Sequence, residues 1–133
     1  SEDFVGAVRE MTANRGVDVV LDIVGGDYFP RNLECLARDG RLVQIGLMRG
    51  ATSEIPLRQI LLKRLTITGS TLRVRTPGEK GAIAAALERD IWPLLAQGLV
   101  RPIVGARVPL GDAAGAHELL ERGEIVGKVI LEV

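Results

Sequence analysis

The chain has 133 residues, 47% of them apolar, with 17 basic and 17 acidic side chains and a formal net charge of zero. Balanced charge argues against non-specific nucleic-acid binding, which needs surplus cations to neutralise phosphates. A single cysteine, Cys35, excludes an internal disulfide and a cysteine-based metal cluster and fits a reducing, cytoplasmic setting.

The length implies about one domain, able to bury roughly two-thirds of its unfolded surface. The longest apolar runs fall far short of the roughly 20 residues a membrane span needs. Ser1 stands without a methionine before it, no secretory leader is legible, and the chain is expected to be a piece of something longer. Phe4, Val5, Val8, Met11 and Thr12 recur at helical spacing, with Glu2 and Asp3 where acids favour a helix N-terminus. Asn14-Arg15-Gly16 closes that helix. Residues 17–23 then form a nearly unbroken apolar run that predicts a strand, ending in Gly25-Gly26. Residues 27–37 predict a helix with Phe29, Leu33 and Leu36 on one face and Pro30 tolerated in its first turn. Asp39-Gly40 marks a turn, and residues 41–45 a second strand closed by Gly46. Continuous rather than alternating apolar runs predict strands buried on both faces, as in a parallel sheet.

Residues 47–56 are polar and marked by glycine and proline, hence loop. Leu57–Lys63 predicts a short helix, and residues 65–70 a β-branched strand suited to a sheet edge. One long helix is expected over residues 78–97, with Ile83, Leu87, Ile91, Leu94 and Leu95 as its apolar face, kinked at Pro93 and ended by Gly98. Residues 103–108 predict a short strand. Asp112 caps a helix to about residue 121, with Ala113, Ala116 and Leu120 inward and His117 near that face. Residues 127–133 predict a last strand for which the chain offers few pairing partners.

In open α/β sheets, ligands sit beyond the carboxyl ends of the strands. Here those ends carry Gly25-Gly26, then Gly46-Leu47-Met48, then Gly69-Ser70-Thr71-Leu72. Adjacent strands lie about 4.8 Å apart, so three neighbouring strands would make one contiguous rim. Glycine there lets main chain approach a ligand, although glycines also simply end strands. No Gly-x-Gly-x-x-Gly or P-loop is present, so nothing cradles a pyrophosphate at a helix N-terminus. Cys35 reads as a buried small hydrophobe, Asp22 as a turn or capping residue, Arg73 and Arg75 as a solvated loop, His117 as a packed or capping residue, and Lys128 either as structural beside the last strand or as a group reaching the cofactor in a whole enzyme.

The runs Gly16-Val17-Asp18-Val19-Val20-Leu21-Asp22-Ile23-Val24-Gly25-Gly26, Asp39 through Gly46, and Leu65 through Ser70 resemble the fourth, fifth and sixth strands of the medium-chain dehydrogenase/reductase superfamily. Ala116-His117, Leu120 and Gly127-Lys128-Val129-Ile130-Leu131 are similar to its C-terminus. Gly69-Ser70-Thr71-Leu72-Arg73 and Ile91-Trp92-Pro93-Leu94-Leu95 resemble the zinc-independent, zeta-crystallin-like quinone oxidoreductase branch.

The resemblance implies an α/β fold: the C-terminal half of a Rossmann-type parallel sheet (strands 4–6) over residues 1–77. The last Rossmann helix and the return segment of a GroES-like catalytic domain would occupy residues 78–133. It implies an NADPH or NADH cofactor in the parent enzyme, no metal, and hydride transfer to a quinone or activated alkene. Gly25, Gly26, Ile45, Gly46, Leu47, Met48, Gly69, Ser70, Thr71 and Leu72 would border the cofactor, with no catalytic residue in the chain. Residues 67–70 would be a homodimer edge. Where some relatives have asparagine this chain has Gly26, which puts a side-chain contact there in doubt. The enoyl reductase domain of a multidomain synthase and a non-catalytic half-Rossmann interaction module stand as the alternatives.

Overall fold

The computed structural model describes residues 3–133, so the role expected for Glu2 lies outside the described residues. Two units are separated between Thr76 and Pro77. In the first, the Asp3 carboxylate accepts hydrogen bonds from the Val5 and Gly6 amides, both at 3.3 Å, and starts helix α1 (Phe4–Met11). Strand β1 (Val17–Asp22), helix α2 (Tyr28–Cys35) and strand β2 (Leu36–Gln44) follow, then helix α3 (Leu57–Lys63) and strand β3 (Thr66–Gly69). The three strands pair in parallel in the order β1-β2-β3, with β3 at an edge as its threonine content predicted.

Helix α2 stops two residues earlier than the sequence predicts, because Leu36 already pairs with Val17. The register then slips, and Val19 pairs with Arg41. The expected Asp39-Gly40 turn is therefore present as an irregularity within β2, with Asp39 at φ 61°. Arg64 Nε holds the Asp39 carboxylate at 2.8 Å.

Alternate strand residues point to opposite faces. One face of the sheet packs on α2 and α3 through Leu33, Leu36 and Leu42, with Val17, Val20, Phe29, Ile60 and Leu65 against them. Val19 and Leu21 stand 57% and 64% exposed, so β1 is not buried on both faces as its apolar run predicted. Cys35 is buried, and that burial pushes its thiol pKa up. The C-terminal carbonyls of α2 have no glycine cap. Lys63 serves instead: its Nζ donates to the carbonyls of Leu33, Glu34 and Leu36 at 2.9, 3.0 and 2.7 Å. Desolvation pushes the Lys63 pKa down.

In the second unit the long helix predicted over residues 78–97 is two helices, α4 (Pro77–Asp90) and α5 (Trp92–Ala96), parted at Ile91. Pro93 does not kink a continuous helix. Its ring and missing N–H disfavour helix across the preceding turn, and it sits in the first turn of a new one. The expected apolar face is not buried: no residue of either helix is.

Strand β4 (Val104–Pro109), a 3-10 turn (Leu110–Asp112), helix α6 (Ala113–Glu121) and strand β5 (Lys128–Glu132) complete the unit. Asp112 accepts from the Gly115 amide at 3.3 Å, the cap the sequence predicts. The last strand is not an orphan: β5 pairs with β4 in parallel, with α6 as the crossover such a pair requires. Ala116 and Val108 are buried, and Leu120 and His117 lie on the same groove-lining side of α6 but stay exposed to solvent there. Among the described residues, no helix is long and apolar enough to cross a membrane.

Candidate functional site

Beyond the carboxyl ends of β1, β2 and β3 the main chain stays paired. Ile45 N donates to Asp22 O at 2.8 Å, Arg49 N to Val24 O at 2.8 Å, Gly26 N to Gly50 O at 3.1 Å and Ser70 N to Gln44 O at 3.0 Å. The three ends therefore form one continuous rim. Asp22 is 4% exposed, and its carboxylate accepts from the Val24 and Gly25 amides at 2.6 and 3.2 Å, which bends the chain into Gly25. This is the turn role its position predicted.

The rim glycines divide into two kinds. Gly26 has φ 55°, and a Cβ there would fall 2.5 Å from Arg49 O. At Gly46 a Cβ would fall 2.7 Å from Ile23 O. Both are explained by the close approach of one loop to the next. Gly69 has no such need, since its Cβ would meet Gln44 O at an ordinary 3.4 Å.

Two adjoining clefts open on this rim. One, of about 310 Å³, is lined by Gly25, Gly26, Phe29, Gln44, Leu47 and residues 50–53 and 55. The other, of about 520 Å³, is lined by Gln44, Ile45, Gly46, Leu47, Gly69, Ser70, Thr71 and Arg73. No carboxylate lines either cleft. Met48 and Leu72 line neither and stand exposed, because their side chains turn outward from the loops that carry them.

Gln44 is the side chain the sequence reading missed. It lines both clefts, and its Nε2 donates to Gly46 O at 2.6 Å and to Asp22 O at 3.3 Å, tying two strand ends together. Its Oε1 is buried and has no partner among the described residues. The available signal was one amide in the apolar run Leu42-Val43-Gln44-Ile45, directly before a strand-end glycine.

Around the rim, Arg49 lies over the Tyr28 ring at 5.4 Å and pairs with Asp27 at 3.1 Å. Tyr28 stacks on Phe4 with centroids 5.4 Å apart. Arg31 covers Phe4 at 4.3 Å and pairs with Asp3 at 3.0 Å, so α1 and α2 are braced together beside the clefts. Beyond β3, Arg75 donates to Ser70 Oγ at 3.4 Å. His117 lines a groove on α6 and β5 with Ala113, Ala116 and Leu131, within the second unit.

A family model described as zinc-binding dehydrogenase matches residues 1–131. The highly reducing polyketide synthase PKS6 of Gibberella zeae is 34% identical over 98% of this chain, which spans 5% of that protein. Quinone oxidoreductase 1 of Escherichia coli is 33% identical over 98% of this chain, which spans 40% of its length. The crystal structure of Escherichia coli quinone oxidoreductase complexed with NADPH superposes with a TM-score of 0.71 at 31% identity, over 98% of this chain and 41% of that one. The chain thus spans about two-fifths, or far less, of the proteins it matches.

The zinc named in the family description finds no fit here: no group of three His, Cys, Asp or Glu side chains is gathered among the described residues. Cys35 is buried in α2 and His117 exposed on α6, and one cysteine with one histidine does not make a zinc ligand set. With the family model matched almost end to end and parallel strands in Rossmann-like order, the chain belongs to the zinc-binding dehydrogenase family.

Proposed function

We propose that this chain supplies one wall of the nicotinamide site in an NAD(P)H-dependent oxidoreductase that passes hydride to a quinone or activated alkene. One observation carries the reading. Gly25, Gly26, Ile45, Gly46, Leu47, Gly69, Ser70 and Thr71 are gathered into two adjoining clefts at the ends of three parallel strands. The chemistry of the walls fits the cofactor. Phe29, Leu47 and Ile55 in one cleft and Ile45 and Leu47 in the other give apolar surface beside a few hydroxyls, and no carboxylate lines either, which suits a flat neutral ring bearing a carboxamide.

When bound, the cofactor supplies the transferable hydride. The residues of this chain position it. Leu47 and Ile45 offer apolar contact and exclude water, while Gly69 lets main chain approach a ring face unhindered. The Ser70 and Thr71 hydroxyls give hydrogen-bonding capacity at the same wall. No acid or base in the clefts is placed to move a proton. The all-exposed β3 edge supports a homodimer through residues 67–70. By itself the chain is inactive and binds NADPH weakly, since it has no glycine-rich pyrophosphate loop.

The similarity to a highly reducing polyketide synthase favours one second reading, in which the acceptor is the alkene of an enoyl thioester. Both are tested on a protein that carries this segment within the family's full length. Oxidation of NADPH is followed with a benzoquinone and, separately, with an enoyl thioester. Turnover of the quinone supports the first reading and turnover of the thioester alone the second. The absence of NADPH oxidation with either acceptor contradicts both.

A further inference from the structure

Helix α2 passes into strand β2 without a loop. Cys35 ends the one and Leu36 opens the other, already extended at φ −70° and ψ 138°. So abrupt an exit leaves no residue for a glycine cap, and the last carbonyls of the helix lack intrahelical partners. It also brings the Leu36 carbonyl to the same side as those of Leu33 and Glu34. The three converge on one atom, the Nζ of Lys63 in the last turn of α3, with Leu33 O at 2.9 Å, Glu34 O at 3.0 Å and Leu36 O at 2.7 Å.

An ammonium has three N–H donors, and all three are spent here. No carboxylate is among its hydrogen-bond partners. Glu34, which gives one of the carbonyls, gives its carboxylate to Arg9 at 3.2 Å instead. The half-buried charge is therefore met by main chain, at the negative end of the α2 dipole. Three acceptors aimed at one point are poorly served by water, which has only two hydrogens, and by a guanidinium, whose donors lie in one plane. Convergent main-chain carbonyls can replace the hydration shell of a monovalent cation.

We infer that the end of α2 is a monovalent-cation site made of the Leu33, Glu34 and Leu36 carbonyls, with the Lys63 ammonium as its tethered occupant. The site takes cations of the ammonium class, which present N–H donors to all three oxygens. It stands apart from the two clefts and does not rest on the nicotinamide reading.

The test uses the 133-residue chain and its Lys63→Ala variant, which empties the site and leaves room for a free cation. Thermal unfolding is followed in methylammonium chloride and in tetramethylammonium chloride, which has the same charge and no N–H. The variant is expected to lose about 5 °C in Tm in the tetramethylammonium salt. At about 0.5 M, methylammonium restores about 2 °C of that loss, while wild type unfolds alike in both salts. A variant as stable as wild type, or one on which the two salts act alike, overturns the site. Should Lys63→Ala not fold, the wild-type chain labelled with nitrogen-15 at lysine decides alone. The Lys63 ammonium is expected to exchange its hydrogens with water about tenfold more slowly than that of the exposed Lys128, and equal rates overturn the inference.

Discussion

Both units set a helix between two parallel strands, β1-α2-β2 in one and β4-α6-β5 in the other, yet they bury their side chains very differently. The first centres on Leu33, Leu36 and Leu42, and a third strand and α3 extend the cover. In the second, only Val108 and Ala116 are buried among the apolar side chains described, and its sheet stops at two strands. A strand pair with one crossover helix cannot close a core, whereas a third strand and second helix can. The same supersecondary unit is therefore a scaffold in one place and an open surface in the other.

The sharpest way to break this contrast is truncation of a side chain at each centre. Leu33→Ala, at a fully buried position, is expected to cost about 3 kcal/mol in denaturant unfolding followed by signals of the first unit. Leu120→Ala, at an exposed position on α6, is expected to cost well under about 1 kcal/mol. Equal costs would erase the distinction. Native-state hydrogen exchange gives the same comparison without mutation, with β2 amides protected longest and β4 and β5 amides exchanging sooner.

Next comes the contrast among the rim glycines. Gly26→Ala places a Cβ against Arg49 O in a left-handed conformation and is expected to cost about 2 kcal/mol. Gly69→Ala meets only ordinary contact and is expected to stay within about 0.5 kcal/mol of wild type. In the full-length protein the second change still raises the KM for NADPH if main chain at Gly69 faces the cofactor. A stable Gly69→Ala protein with unchanged KM would remove Gly69 from the site.

Lys63→Met removes the cation that serves three carbonyls at the end of α2, with a loss of about 1–2 kcal/mol by thermal unfolding. A change within error would mean that water replaces the ammonium. The smallest effect is at Asp3, where the Arg31 guanidinium, and more weakly the Val5 and Gly6 amides, hold the carboxyl below its ordinary value of 3.8. A depressed folded-state pKa contributes stability that is present above 3.8 and lost as pH falls through the lowered value. By acid titration of the helical signal, wild type should be more stable than Asp3→Asn at neutral pH and lose that advantage as pH falls below 3.8, and an advantage that does not shrink on acidification would contradict it.

Much of the first unit was legible because its signals are local. Gly25, Gly46 and Gly69 each follow a β-branched run, Asp3 stands where a cap belongs, and Leu57–Lys63 was bounded correctly by a loop and a strand. What failed depended on distant partners. Whether Val19 and Leu21 are covered is decided by layers, not by the run that contains them. The pairing of β5 with β4 needed the register between residues about two dozen apart. Pro93 was read as a kink because its position in a new first turn depends on where the preceding helix stops. In the candidate site the glycines were visible, but the reason for Gly26 and Gly46 was the opposing carbonyl, and Gln44 looked like one polar residue in a strand until both ends of its amide were placed.

The central claim is that this chain carries one wall of a nicotinamide cleft and not the whole cleft. Calorimetric titration of NADPH into the 133-residue chain tests it most directly. The account predicts weak binding, with a Kd on the order of 1 mM or higher. A micromolar Kd would contradict it.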